Sequence, residues 1–395
     1  MSSTSASSHP RISAEDATRA DTEGLLPERV VAELTAAGFA RRLVPVRWGG
    51  EESSFEELFY AITCAGESCA SAAWCAALWA LHGRYAARLP EQGRREIWRD
   101  TEPKTDDPED RTAAAVRVSA AVVPPAGRAR RVEGGWTVTG RWEYVSGIEH
   151  AHWVLLSAHE QATAEPENGS PAGPGAVRVV AVPAAELEIE YGWDAVGLRG
   201  TGSHRVRARD VFVPDRRAMT FAEMTRAEPG PDIPRCQAAP ALLFGGALLA
   251  AAALGAARSA VADWTRRAVA ADFAGSARAG LSADPTAAQA LTRSSGELEA
   301  ARLLLTGAVR RADAGPVDDA AVATNMRDVT VAMGLLVESV ERLLHVGGTA
   351  AREAGGEFYR GWRDVSTAAS HGALRLGTAA MLYARSVEAE AGGRR

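Results

Sequence analysis

Val206-Arg-Ala-Arg-Asp-Val-Phe-Val213 is the clearest of five runs in which apolar and polar residues alternate. Such alternation places the apolar side chains on one face of a β-strand. The other four runs lie upstream and begin at Ala115, Trp136, Trp153 and Val177. Because helical patterns stand on both sides of the runs, the sequence predicts a β-unit between two helical units.

The flanking segments are helical by their spacing of apolar residues. From Leu25 to Arg99 these residues recur every three to five positions, and from Cys236 onward Ala- and Leu-rich segments such as 289–312 and 319–344 follow one another. Long segments of this kind usually pack as an antiparallel bundle. The run 238–257 has the length of a membrane span, but its Ala and Gly content favours a buried bundle helix.

The predicted fold class is therefore α+β and multidomain. We expect a disordered leader over 1–22, an N-terminal α-helical domain over 23–111, a central β-domain over 112–215 and a C-terminal helical bundle over 216–395. The leader is rich in Ser, Thr and acidic residues and lacks the apolar segment of a signal peptide. A cytoplasmic protein is expected.

Composition argues against two kinds of partner. The chain has 395 residues with 44 basic and 50 acidic side chains, a net charge of −6 and no long run of like charge. This is not the electrostatic pattern of a protein that binds nucleic acid or an anionic membrane. The four cysteines form no Cys-x-x-Cys pair, so we expect them to be packed as thiols.

The C-terminal part contains a histidine in an unusual setting, within Phe358-Tyr-Arg-Gly-Trp-Arg-Asp-Val-Ser-Thr-Ala-Ala-Ser-His-Gly-Ala-Leu-Arg375. A helix from Asp364 onward would place Thr367 and Arg375 one turn either side of His371. Asp364 itself would lie out of hydrogen-bond reach. On this segment alone, His371 is as compatible with a buried helical core as with catalysis.

Three motifs in the β-unit could carry further chemistry. A strand running into Ser146-Gly147 presents a hydroxyl and an open backbone against which a planar heterocycle could lie. His150 and His152 share a strand face, but no third ligand stands at a recognisable spacing, so no metal site is expected. The Gly-rich stretch 197–203 precedes a strand and does not open a helix, so we interpret it as an inter-strand loop and not as a dinucleotide motif.

Taken together, these segments resemble the acyl-CoA dehydrogenase-like flavoproteins, and among them the two-component, reduced-flavin-dependent monooxygenases. The resemblance spans nearly the whole chain and rests on the order of its motifs, which are Val44-Pro-Val-Arg-Trp-Gly-Gly50, Ser71-Ala-Ala-Trp74, Pro125-Ala-Gly127, Trp142 to Gly147, Gly197 to Ser203, Gly347-Gly348 and Trp362 to His371. Hydroxylases that tailor aromatic polyketides in actinomycete-type pathways are similar at Leu81-His-Gly-Arg-Tyr85 as well. The resemblance implies an N-terminal α-helical domain, a central β-barrel or sandwich and a C-terminal four-helix bundle.

The resemblance also implies roles for individual residues. Ser146 matches a residue that hydrogen-bonds flavin N5, and Tyr144 an aromatic that packs on the isoalloxazine. His371 matches a histidine near the oxygenated flavin, and His82 one that lines the substrate cavity. Flavin-binding positions are also implied at Gly147 and at the turn Gly347-Gly348. Two residues depart from the pattern, His152 in place of an acid and Glu149 in place of Asp.

The implied reaction is the hydroxylation of an aromatic polyketide or other phenolic natural-product intermediate. Reduced FMN, with FAD as the alternative, would come from a separate NAD(P)H:flavin reductase and react with O2 to a C4a-hydroperoxide. A histidine that titrates near neutrality suits this task, because it can take a phenolic proton or hydrogen-bond a peroxide. The family likeness also implies a homotetramer.

Three other functions stay open on the sequence. One is an N-oxygenase acting on an amino sugar or amine, with the same flavin chemistry. Another is an acyl-CoA dehydrogenase, although the Tyr-Glu-Gly type of signature that marks the catalytic base in one branch is missing from the C-terminal region. The third is a catalytically silent binding protein that keeps the scaffold.

Overall fold

The computed structural model describes residues 10, 12–98, 116–161, 176–228, 230, 232–270 and 281–392. Its first part is helical. Helices α1 to α5 span Ala14–Glu23, Glu28–Ala36, Phe55–Ser68, Ala70–Ala86 and Glu91–Trp98. The motif Val44 to Gly50 lies between α2 and α3 and contains a short 3-10 helix, Val46–Trp48.

The prediction of a disordered leader over 1–22 is wrong for its second half, because α1 occupies Ala14–Glu23. Ser13 caps the helix by accepting a hydrogen bond from the backbone of Asp16, and Gly24 ends it in the left-handed region with a φ of 72°. The buried side of α1 includes Ala20, which packs against Gly200. Residues 1–9 and 11 of the predicted leader lie outside the described residues.

The described strands form one mixed sheet. Strands β1 to β8 span Val118–Ala121, Gly127–Val132, Gly135–Val145, Trp153–Glu160, Val177–Pro183, Glu188–Glu190, His204–Pro214 and Ala218–Thr220. The order is β6-β7-β3-β2-β4-β5-β8, and β1 pairs in parallel with β4 beside β2. Each of the five alternating runs coincides at least in part with a strand.

The helical bundle follows the sheet. Two short helices, α6 (Phe221–Thr225) and α7 (Arg235–Ala238), lead into α8 (Ala241–Val269), α9 (Pro285–Ala314), α10 (Asp319–Val346), α11 (Glu357–Ala368) and α12 (Leu376–Gly392). Helix α8 packs against α3, α9, α10 and α11. It is apolar and long enough to cross a membrane by composition, but 78% of its most apolar window is buried inside the protein. It is a core helix, as its Ala and Gly content indicates.

The predicted continuous helix through His371 is wrong. Helix α11 ends at Ala368, and His371 adopts an extended backbone, with φ −66° and ψ 136°, before a 3-10 turn over Gly372–Leu374. The serine and glycine that flank His371 are poor helix formers, which favours an end here. Thr367 and Arg375 therefore do not flank the imidazole on a helix face.

The domain boundaries proposed near residues 111 and 215 stay predictions. The first lies outside the described residues, which resume at position 116. At the second, the chain passes from β7 through β8 into α6, so strand and helix follow each other closely.

Candidate flavin and substrate site

The turn at Ser146-Gly147 is held in place by two backbone contacts. Gly147 has a φ of 67° and donates its N–H to the Thr201 carbonyl at 2.7 Å. The Ser119 hydroxyl, on β1, donates to the Ser146 carbonyl at 2.8 Å. A bulge in the pairing of β3 with β7 separates Trp142 from Val145. The turn is therefore a fixed feature at the sheet's end.

Three hydroxyl groups form a row behind this turn. The Ser146 Oγ lies 2.7 Å from the Ser203 Oγ, which lies 2.7 Å from the Thr201 Oγ1. The Thr201 hydroxyl then donates to the Leu198 carbonyl at 2.8 Å. Ser146, Ser203 and Thr201 are all buried. The sequence analysis identified the first of the three and treated the other two as part of a loop.

The loop that supplies two of these hydroxyls is anchored to α11 and α1. Asp364 accepts the Leu198 N–H at 2.6 Å, and Arg363 donates to the Val196 carbonyl at 2.7 Å and forms an ion pair with Asp21. Burial raises the pKa of the Asp364 carboxyl to about 6, while the hydrogen bond from Leu198 opposes the rise. The α1 helix that sequence analysis missed is thus part of the support of the site.

Tyr144 presents its ring to the solvent beside Ser146. The side chain is 70% exposed, and its φ of 60° is unusual for a residue other than glycine. Its ring meets that of Trp193 edge-on at 6.1 Å, and the Trp193 indole N–H donates to the Leu198 carbonyl at 3.1 Å. An exposed aromatic in a strained conformation is a common feature of ligand sites.

Trp79 on α4 forms the wall on the other side of Gly147. A Cβ atom at position 147 would stand 3.1 Å from the indole nitrogen of Trp79. This buried N–H has no hydrogen-bond partner in the described part of the chain. Glycine at 147 therefore allows the turn to approach the Trp79 indole closely, beside a buried donor without a partner in the described residues.

His150 and His152, which were considered as metal ligands in the sequence analysis, contact protein groups instead. The Arg117 guanidinium lies over the Trp79 ring at 5.8 Å, and the Arg117 backbone N–H donates to His152 Nδ1 at 3.0 Å. Burial, and then Arg117, lower the pKa of His152. His150 Nδ1 lies 3.6 Å from a Glu28 oxygen. The unusual His152 thus lies behind the Trp79 wall.

His82 is buried on α4 and faces β1. Its Nδ1 lies 3.2 Å from the Val118 carbonyl, which can only accept a hydrogen bond, so Nδ1 carries the proton and Nε2 keeps its lone pair. Burial lowers the pKa of His82 to about 4. His82 is therefore a neutral acceptor at Nε2. Since Ser119 follows Val118, adjacent residues of β1 contact the two parts of the site.

His371 lies against Trp74, with ring centroids 5.4 Å apart. The Ala373 N–H donates to His371 Nδ1 at 3.3 Å, so the neutral imidazole carries its proton on Nε2. The residue keeps an exposed edge, yet desolvation by the surrounding protein lowers its pKa. Trp74 and His82 both lie on α4, so one helix carries His82 and contacts His371.

Two pairs of adjacent glycines in the bundle have different neighbours. A Cβ at Gly246 would meet the Ala373 carbonyl at 3.4 Å, and one at Gly245 would reach the Tyr85 hydroxyl at 4.0 Å, so Gly246 lies beside the turn that follows His371 and Gly245 beside Tyr85 of α4. A Cβ at Gly347 would meet Ala351 and Trp264, and Gly348, with a φ of 60°, has open space beside it. None of these close neighbours of Gly347 belongs to the Ser146 turn.

The residues selected from the sequence lie in three places. Tyr144, Ser146 and Gly147 form one turn, whereas His82 on α4 faces Val118 and His371 contacts Trp74 of the same helix. Gly347-Gly348 lies apart at the end of α10. Sequence reasoning missed the roles of the side chains of Ser119, Trp79 and Trp193, whose only signal was their place inside apolar or Gly-rich motifs.

The chain has recognisable relatives. Residues 247–376 match the family model described as acyl-CoA dehydrogenase, C-terminal domain. The oxygenase subunit HsaA of a flavin-dependent monooxygenase from Rhodococcus jostii is 28% identical over 92% of both chains. The oxygenase component of an FADH(2)-dependent resorcinol hydroxylase from a Rhizobium species is 30% identical over 51% of this chain and 44% of its own. XiaF from a Streptomyces species, solved with FADH2 and glycerol, superposes with a TM-score of 0.85 at 25% identity, over 95% of this chain and 92% of XiaF.

The protein is a homologue of the oxygenase components of two-component flavin-dependent monooxygenases. Its fold is that of the acyl-CoA dehydrogenases, and the family, fold class and enzyme class predicted from the sequence are confirmed. The relatives support a flavin as cofactor and a separate reductase as partner.

Proposed function

We propose that this monooxygenase component hydroxylates a phenolic substrate, an aromatic polyketide or a related natural-product intermediate. The observation that carries the proposal is the opposite hydrogen-bonding character of its two site histidines. His82 offers a lone pair at Nε2, and His371 offers an N–H at Nε2. A phenol needs an acceptor for its hydroxyl, and oxygen that gains negative charge needs a donor.

Residues of the Ser146 turn would hold the cofactor. Bound reduced flavin supplies the activation of dioxygen. Ser146 would contact flavin N5, the Tyr144 ring would pack beside the isoalloxazine, and the free Trp79 N–H would donate to its polar edge. The Gly347-Gly348 turn stays a prediction as a second contact.

His82 would bind the substrate hydroxyl. Because its pKa lies at about 4, it is neutral at physiological pH and accepts the phenolic hydrogen at Nε2. The phenol becomes more electron-rich as its O–H bond is polarised toward the imidazole. Sequence analysis placed His82 in the lining of the substrate cavity and left His371 two roles, to take a phenolic proton or to hydrogen-bond a peroxide.

His371 would stabilise negative charge on oxygen. Its Nε2–H is the donor that remains once Nδ1 has accepted from Ala373. Trp74, in contact with the imidazole, provides an apolar wall that excludes water.

The test is a reconstituted reaction with a flavin reductase, NADH and ¹⁸O2. We expect one ¹⁸O atom in a phenolic product, found first in a panel of resorcinols and aromatic polyketides. If the electrons of NADH only reduce O2 to hydrogen peroxide with every phenol, while an amine or amino sugar is oxygenated, the N-oxygenase alternative holds. Reduction of an artificial acceptor by an acyl-CoA, without a reductase, would instead indicate a dehydrogenase.

The flavin and the assembly need separate measurements. The names of two relatives specify FADH2, so reduced FAD is the first choice against reduced FMN. Anaerobic titration with each reduced flavin decides between them. A homotetramer is proposed because α12 exposes Leu376, Met381 and Val387; light scattering of the purified chain gives its mass. A cytoplasmic location is proposed, where NAD(P)H is available.

A further inference from the structure

The hydroxyl row behind Ser146 has only one consistent arrangement of protons. Each hydroxyl has a single hydrogen. The Leu198 carbonyl can only accept, so the Thr201 hydroxyl must donate to it across 2.8 Å. The 2.7 Å contact between Thr201 and Ser203 then requires Ser203 to be the donor.

The same reasoning fixes the last hydroxyl. Because the proton of Ser203 is used on Thr201, the 2.7 Å contact between Ser203 and Ser146 requires Ser146 to donate. Ser146 Oγ then has no proton left for any other partner and presents only a lone pair. Since all three side chains are buried, water is a poor substitute for these bonds.

The Leu198 carbonyl, at the end of the row opposite Ser146, is also held in place. The Leu198 carbonyl accepts from the Thr201 hydroxyl, the Thr201 backbone N–H at 3.1 Å and the Trp193 indole at 3.1 Å. The Leu198 N–H is bound by the buried Asp364 carboxyl. The carbonyl oxygen that sets the direction of the row therefore has little freedom to turn away.

We infer that Thr201 and Ser203 are positioning residues that make Ser146 an acceptor and so select reduced over oxidised flavin. The inference rests on the proposed contact of Ser146 with flavin N5. In reduced flavin N5 carries a hydrogen and donates, whereas in oxidised flavin it has none and accepts. An acceptor at Ser146 can receive a hydrogen bond from N5 of reduced flavin. With oxidised flavin, a lone pair of Ser146 Oγ would face the lone pair of N5, and the two repel each other.

The measurement is the ratio of the dissociation constants of oxidised and reduced flavin, the latter determined anaerobically. In Ser203→Ala, the proton of Ser146 is free to turn toward N5, so we expect the ratio to fall by about tenfold, the effect of one hydrogen bond. A tenfold fall corresponds to about 30 mV in the two-electron potential of the bound flavin. Thr201→Val should lower the ratio less than Ser203→Ala, because the Ser203 hydroxyl remains and can either accept from Ser146 or donate to it. Thr201→Ser keeps the hydroxyl and should retain the native ratio.

Ser339→Ala provides the matched control. Its hydroxyl is buried in the bundle and donates to the Leu336 carbonyl, so its loss removes one buried hydrogen bond far along the chain from the row. The flavin ratio should not change in this variant. A native ratio in both Ser203→Ala and Thr201→Val would overturn the inference, even if the wild type prefers reduced flavin and hydroxylates phenols.

A wild-type protein that binds neither flavin refutes both this inference and the proposed function. Neutron diffraction of the wild type tests the row without any variant, because it locates the deuterium atoms. A deuterium on Ser203 directed at Ser146 would overturn the inference, whereas deuterium atoms directed from Ser146 through Ser203 to Thr201 would support it.

Discussion

The imidazole of His371 stands edge-on to the indole of Trp74, with centroids 5.4 Å apart and an interplanar angle of 74°. Trp74 is buried on α4, and His371 lies in the turn that follows α11. This contact joins the first helical unit to the last part of the bundle. The orientation of the His371 imidazole therefore depends on both helical units.

Replacing His371 should show whether its imidazole acts as a hydrogen-bond donor or as a general base. We expect His371→Ala to lower the ratio of hydroxylated product to hydrogen peroxide by about 10²-fold, because a preorganised donor is lost. His371→Gln offers an amide N–H near the position of Nε2 and should lose less. The ratio is measured in the reductase-coupled reaction, with His345→Ala, an exposed histidine bound to Glu341, as the control. If Gln is as defective as Ala, the imidazole acts as something other than a donor.

His82 should make stability depend on pH. Its pKa is about 4 in the folded protein and lies at an ordinary 6.5 when unfolded, so between these values the unfolded chain binds a proton that the folded chain does not. The free energy of unfolding should therefore fall as the pH is lowered from 6.5 to 4, by on the order of 3 kcal/mol from this residue. Urea unfolding of wild type and His82→Gln at pH 7 and 4.5 isolates the contribution. An equal loss in both proteins would contradict it.

The long elements could be predicted from the sequence because their periodicity is local. Segments 289–312 and 319–344 fall inside α9 and α10, and the alternating runs coincide with strands. Strand β2 was not predicted, because Gly127–Val132 is rich in arginine and offers only Ala129 as a fully buried apolar residue. The end of α11 before His371 was missed because apolar spacing does not fix where a helix ends.

The hydroxyl row could not be predicted from the sequence for a different reason. Ser146 and Ser203 are far apart in the chain and meet only because β3 pairs with β7, where Val145 faces His204. A bulge lies just before this pair, so the register could not be obtained by extending the pattern of either strand. The family resemblance supplied Ser146, whereas its partners depend on tertiary pairing that no local pattern encodes.

Gly147→Ala should weaken both folding and flavin binding. The residue has a φ of 67°, and a methyl group there would stand 3.1 Å from the Trp79 indole nitrogen. We expect a loss of about 1–2 kcal/mol in the free energy of unfolding and a reduced-flavin affinity at least about tenfold lower. Gly134→Ala is the matched control, since its φ of 73° is similar but no atom of the described residues lies within 4 Å of the added methyl. An equal loss of flavin affinity in both variants would exclude a role of the close approach of Gly147 to Trp79.

Asp364→Asn should stabilise the folded protein near neutral pH. Burial raises the pKa of this carboxyl from 3.8 to about 6, so the folded chain holds a proton between these values that the unfolded chain has released. The free energy of unfolding should thus fall as the pH rises from 4 to 6 and stay lowered above 6, by on the order of 3 kcal/mol. Asn lacks this charge but keeps an oxygen that can accept the Leu198 N–H, so its advantage at pH 7 should vanish near pH 4. Chemical unfolding at both pH values measures it, with Asp364→Ala, which loses the acceptor, as the comparison. If the Asp364→Asn protein were less stable than wild type at pH 7, the charge itself would hold the loop, through Arg363 and the Leu198 N–H, more strongly than burial penalises it.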